Sequence, residues 1–198
     1  MEVLLSICLG FGLSAACGFR IFVPFLIMSI ASRAGHLDLA ASFDWLASDA
    51  AIVTFAVAAV LEIGAYFVPW VDNLLDSAAT PTAVVAGVLA SAATIDGTSP
   101  LVGWTLAVIG GGGLAGLIQG GTTLLRGASS LMTAGFGNPI VSSAEAGGAV
   151  TLASLAILVP VVAAMFALTV VLAVATRTAR AMGRRPAAAL AASAEPPC

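Results

Sequence analysis

The chain has 198 residues, of which 60% are hydrophobic and 9% charged, and its mean hydropathy is +1.10. Soluble domains are about half apolar and about a quarter charged, so an ordinary soluble globular domain, a disordered chain and a basic-patch nucleic-acid binder are excluded. All seven basic residues are arginines, which excludes a P-loop lysine and a Schiff-base lysine. The composition is that of a polytopic, all-α integral membrane protein.

A crossing helix needs about 20 mostly apolar residues. The stretch from Val3 to Ser32 is long enough to span with tilt, although it contains Gly18, Arg20 and Pro24. Met1-Glu2 lacks the positive flank of a secretory signal, and Ser14–Cys17 only faintly resembles a lipoprotein cleavage box, so a retained first helix is expected. Residues 34–49 form a polar connection with His36, Asp38, Asp44 and Asp49, and with Trp45 as an interfacial anchor. A second span, about 50–70, carries Glu62 in its middle and ends at Pro69-Trp70. An amphipathic linker over 71–80 follows, with Asp72 and Asp76.

Thr80-Pro81, Ser99-Pro100 and Asn138-Pro139 each read as a helix N-cap with proline in the first turn. They open a third span (81–94, stopped by Asp96-Gly97), a fourth (100–125) and a last apolar stretch (138–176) that Pro160 kinks or divides. Residues 126–137 read as a polar, glycine-containing linker. The expected architecture has about five to six transmembrane helices, some broken or re-entrant. It forms one helical domain over 1–178, followed by a disordered Arg/Ala/Pro-rich tail over 179–198. A weak internal echo sets Pro81 on Pro139, and two independent helix starts of a common type explain it equally well.

Arg177, Arg180, Arg184 and Arg185 follow the last span, so the positive-inside rule predicts a cytoplasmic C-terminus in a bacterial inner membrane. The acidic 34–49 connection prefers the outside and Arg126 the inside. Five spans cannot satisfy all three preferences; six can, if Pro160 or a re-entrant segment divides the C-terminal stretch. Cys8, Cys17 and Cys198 form no CxxC motif, and His36 is the sole histidine, so neither a metal site nor a cofactor is predicted.

An ionisable side chain at membrane depth costs about 3 kcal/mol or more and is a functional candidate by default. Arg20 and Glu62 are the clearest cases, with Glu145 next. An economical arrangement pairs Arg20 with Glu62 or with Glu145. Such a pair serves either as a structural link or as a site in which Arg20 takes an anionic head group and Glu62 acts as a switch. Arg126 reads as a span-end residue that snorkels or bridges to Asp72 or Asp76. Asn138 opens a half-helix that faces an anion, or is only a cap. Gly112, Gly116 and Gly120 form a GxxxGxxxG face for close helix packing, within or between subunits.

These residues also carry a resemblance. Gly12–Arg20 with Pro24, Leu61-Glu62, Pro69–Asp76 and Thr80-Pro81 form a first half, and Gly110–Gly113, Gln119-Gly120, Thr122, Arg126-Gly127, Gly137–Pro139 and Glu145 a second. Over about residues 3–175 this ordered set resembles bacterial multi-pass membrane proteins grouped as domain of unknown function 4126. The resemblance implies an inner-membrane helical protein and brings no activity or catalytic residue with it.

Two functions are expected on this reading. The first is a small transporter, channel or lipid-translocating protein, homo-oligomeric in the bilayer. Its polar site for an anionic or polar solute or a lipid head group is built from Arg20, Glu62, Arg126, Asn138, Glu145, Asp72 and Asp76. The alternative is a non-transporting scaffold that assembles through its glycine-rich faces. The carboxylates have no companion base, so no enzyme is predicted.

Overall fold

Backbone polar groups in lipid must be satisfied within the chain, which leaves helices as the natural element for so apolar a sequence. The computed structural model describes residues 1–65, 69–133, 136–173 and 176, with residues 69–77 as backbone only. Among them every regular element is helical: α1 (Glu2–Cys17), α2 (Phe22–Arg33), α3 (Asp49–Ala65), α4 (Pro69–Thr94), α5 (Pro100–Thr133), α6 (Asn138–Leu158) and α7 (Pro160–Ala173). A 3-10 turn, Ala41–Ala47, lies in the polar connection before α3. α5 and α6 are each long and apolar enough to cross a membrane, and the 3-10 turn with α3, bent by 70°, makes a third candidate. The tail over 179–198 lies outside the described residues.

Successive helices reverse direction. α1 runs antiparallel to α6: Gly12 packs against Ala156, Phe19 lies on Gly148, and Arg20 reaches Ser142. α2 then returns along α6, so that Ile27 and Ala34 share a cavity wall with Ser154 and Leu158. α3 is antiparallel to α2, with Phe55 stacked on Phe25 at 5.4 Å and Asp49 paired with Arg33 at 3.1 Å. α4 returns along α1 through Ser91 and Gly87, and α5 runs back along α4. After α6, α7 passes Gly12 at Ala163 and reaches the level of Phe19 and Thr122 at Val170.

The interior is built from small residues. α1 buries Gly10 and Gly12–Cys17, and α6 buries Ala149, Ala153 and Ala156. The large apolar side chains point outward: Val53, Val57, Val60 and Leu61 of α3 and Met165, Leu168 and Leu172 of α7 are all more than half exposed. In lipid there is no hydrophobic gain from burying leucine, so helices approach through small residues and keep bulk on the outside. These apolar helices mark a membrane protein.

Three expectations are corrected. The stretch from Val3 to Ser32 is a hairpin rather than one tilted span. Pro24 explains the break: in a continuous helix it would leave the Arg20 carbonyl without an N–H, whereas in the first turn of α2 its missing N–H costs nothing. Gly18 sits at the turn, where a Cβ would lie 2.7 Å from the Ala115 carbonyl oxygen. Second, Pro81 does not start a helix; it lies inside α4, which runs unbroken from Pro69, so residues 71–80 are helix rather than linker. Third, α5 continues through the expected 126–133 linker to Thr133, whose hydroxyl donates back to the Ser129 carbonyl at 2.7 Å. Arg126 is therefore inside a helix. With Pro81 interior and Pro139 in a first turn, the two halves of the internal echo differ.

Ser99 does cap α5, accepting from Val102 N. Within α5, Ala107–Gly112 winds as π-helix where it meets α4. Pro160 does end α6, with Val159 drawn out to φ −142°, ψ 73° ahead of it.

Candidate site at the hairpin tip

A helix start leaves N–H groups without intrahelical acceptors. At α2 these are met from another helix. The Glu62 carboxylate, projecting from α3, accepts from Ile21 N at 2.7 Å and from Phe22 N at 3.1 Å. Glu62 is thus an interhelical cap, held at the positive end of the α2 dipole. It also lies within electrostatic reach of Arg20 and Arg126.

Of the two partners open to Arg20 in sequence, the structure uses Glu145. Arg20 Nη2 stands 3.3 Å from Glu145 Oε2 and donates to the Ser142 carbonyl oxygen at 3.0 Å and to the Ser142 hydroxyl. Ser142 and Glu145 are one turn apart on α6, which puts both on one face. From the opposite side Arg126 donates Nε to Glu145 Oε1 at 3.1 Å and Nη2 to Oε2. Exposure is 1% for Arg20, 2% for Arg126 and 4% for Glu145. Snorkelling to an interface is therefore not what Arg126 does: its guanidinium is spent inside the bundle. The hairpin tip, α5 and α6 meet at this one carboxylate.

Two further buried polar residues of α5, both in the ordered set that carries the family resemblance, share a face with Arg126. Gln119 and Thr122 are 3% and 4% exposed and lie on the Arg126 face of α5, at offsets of seven and four residues. Their signal was available as helical spacing from Arg126, just as Ser142 could be found by spacing from Glu145.

Asn138 is not a cap. Gly137 holds that position, and the Asn138 amide instead exchanges hydrogen bonds with Ser130, donating from Nδ2 at 2.9 Å. It ties the start of α6 to α5, one turn along each helix from Ser142 and Arg126. Asp72 and Asp76 ride on the α4 backbone; their side chains, and hence the expected bridge to Arg126, lie outside the described residues.

In the glycine series, a Cβ on Gly112 would meet Val88 and one on Gly116 would meet Val84, both at 2.8 Å, while Gly120 faces open space. Gly112 and Gly116 thus serve packing of α5 on α4 within the chain. The closest approach is one residue away, at Gly87 and Gly111. His36 is exposed, and Cys17 is buried as a free thiol. Among the described residues, no group of three His, Cys, Asp or Glu side chains converges.

Arg20, Arg126 and Glu145 are almost wholly buried. A cavity of about 390 Å³ between α2, α3 and α4 is lined by Glu62. The site has two parts, a buried ion cluster and a carboxylate bordering an apolar space.

Residues 7–180 match the family described as Domain of unknown function (DUF4126), and the chain belongs to it. No curated protein and no solved structure matches.

Proposed function

We propose that this DUF4126 member is a small transporter or channel of the bacterial inner membrane that passes a polar solute at the level of the α1–α2 hairpin tip. In this reading the hairpin is re-entrant and α3 to α7 are five crossings. The observation that carries it is the convergence of Arg20, Arg126, Glu145 and Glu62 where two half-helices meet. Broken helices with costly charges at their inner ends are how secondary transporters build sites.

Orientation supports the same scheme. A hairpin returns residues 34–48 to the end where α1 begins, and Ala40 N donates there to the Ala93 carbonyl at 2.9 Å. α7 runs the other way, towards the Arg126 end. An acidic connection outside, Arg126 inside and a cytoplasmic Arg177–Arg185 segment then agree without a sixth crossing. The buried cluster corresponds to a closed state. Passage requires the tip to move relative to α6, carrying Arg20 off Ser142 and Glu145.

The test is flux into liposomes holding the purified protein, with phosphate, chloride and methylammonium as permeants. At least one should enter faster than into protein-free liposomes, and Arg20→Ala and Glu62→Gln should each slow it at least tenfold while folding normally. Entry of all three at the protein-free rate refutes transport, and full flux in both variants refutes the site.

A second reading, a non-transporting scaffold, is favoured by one observation: Arg20, Arg126 and Glu145 are almost wholly buried and bonded to one another. It expects no flux, charge variants that alter stability alone, and a smaller oligomer when Gly120, at the open end of the glycine series, becomes leucine.

A further inference from the structure

Of the four ionisable groups, Glu62 lines a described cavity between α2, α3 and α4. Its cavity, about 390 Å³, falls in the range of about 300–1,000 Å³ typical of small-molecule sites. Ile21, Phe22, Ala58, Leu61 and Ala79 supply apolar walls, and Glu62 is the only charged residue among the described ones lining it. We propose that this cavity binds lipophilic primary ammonium ions, with the alkyl or aryl body on the apolar walls and the ammonium on Glu62.

The chemistry follows from what Glu62 has left to offer. A carboxylate has about four lone-pair sites. Two are taken by Ile21 N and Phe22 N, one on each oxygen. Both donors are neutral amides, so they fix the carboxylate's geometry without bringing a counter-charge of their own. The remaining lone pairs call for N–H donors, and a primary ammonium brings three with a positive charge.

A carboxylate ligand would bring no N–H donor to those lone pairs and would set a second acceptor against Glu62. A neutral apolar molecule would leave the lone pairs unmet. Thr82, the other polar lining residue, donates its hydroxyl to the Ala78 carbonyl at 2.7 Å and so offers the cavity an acceptor rather than a donor. Leu61, 66% exposed, forms part of the wall that opens to the surroundings, which gives an amphiphile in the bilayer lateral access. The site stands whether or not the chain carries a solute across, and its test reads binding alone.

The experiment is calorimetric titration of the full chain in nanodiscs with n-octylammonium, with octanoate and 1-octanol as charge controls and empty nanodiscs as reference. The expected result is one saturable n-octylammonium site per chain, with neither control binding saturably. Glu62→Gln should weaken the site at least tenfold. Because Glu62 also caps α2, Ala58→Leu provides the second arm: it fills part of the cavity while leaving the Glu62 carboxylate and its two amide donors in place, and should weaken binding at least tenfold. Saturable binding of octanoate or octanol as tight as that of the ammonium overturns the proposal. So does n-octylammonium uptake equal to that of empty nanodiscs, or undiminished binding in Ala58→Leu.

Discussion

Arg126 grips Glu145 with two nitrogens, Nε on one carboxylate oxygen and Nη2 on the other, so α5 and α6 are clamped across 19 residues of sequence. Breaking a buried ion pair by removing one partner costs about 3–5 kcal/mol, because the other charge is stranded. Glu145→Ala should therefore lower stability by about that amount in denaturant titration of the detergent-solubilised protein. Arg126→Lys keeps the charge but loses the two-pronged geometry, and should cost about 1.5–3 kcal/mol, the worth of one charge-assisted hydrogen bond. Wild-type stability in both would mean that the clamp does not hold the bundle.

Glu62 caps a helix to which it does not belong. Glu62→Ala exposes two amides at the start of α2 and should cost about 1–2 kcal/mol, as the loss of a good N-cap does. The diagnostic readout is hydrogen exchange. The Ile21 and Phe22 amides should lose protection while the centre of α6 keeps its own. Unchanged protection at both amides would remove the capping role.

The glycines separate into two groups by what surrounds them. A Cβ on Gly87 would stand 2.5 Å from the Ala115 Cβ and 2.7 Å from the Gly111 carbonyl oxygen, whereas Gly113 and Gly120 have nothing within 4 Å. Gly87→Ala should destabilise by about 1–3 kcal/mol through overpacking. Gly113→Ala and Gly120→Ala should be neutral or stabilise by up to about 1 kcal/mol, as alanine favours helix. Thermal unfolding of the three variants side by side decides it, and equal shifts would refute the α4–α5 packing.

Two buried serines make a matched pair. Ser14 Oγ lies 2.6 Å from the Gly87 carbonyl oxygen and 2.7 Å from Ser91 Oγ, while Ser91 donates to the Gly10 carbonyl at 3.1 Å. Ser29 Oγ makes no hydrogen bond among the described residues. Ser14→Ala should cost about 1 kcal/mol, and Ser29→Ala should be neutral or stabilising because it removes an unmet hydroxyl. The reverse order in a thermal unfolding assay would contradict these contacts.

Helical character was legible from composition, and the polar layer was largely legible because charges in apolar runs stand out one by one. Partnership was not. Glu62 and Glu145 were equal candidates for Arg20, since nothing local reports which helix passes the hairpin tip. Local proline signals diverged for the same reason. Ser99-Pro100 does begin a helix, but the equivalent Thr80-Pro81 lies inside α4, where packing against α1 and α5 holds the helix through the missing hydrogen bond. Asn138 has the chemistry of a cap, yet Ser130 offers it a better use. The reversal at Gly18–Ile21 escaped notice because apolar residues flank it on both sides, and hydropathy carries no direction.

The hairpin has a consequence for how the protein is made. Arg20 leaves the ribosome early, whereas Ser142, which accepts its hydrogen bond, is synthesised 122 residues later. At roughly 5–20 residues per second that interval is on the order of 6–24 s. Throughout it the hairpin tip must hold a guanidinium whose acceptors on α6 do not yet exist. The contacts of Arg20 with Ser142 and Glu145 can therefore form only after α6 has been made, so the hairpin tip takes up its final partners late in synthesis.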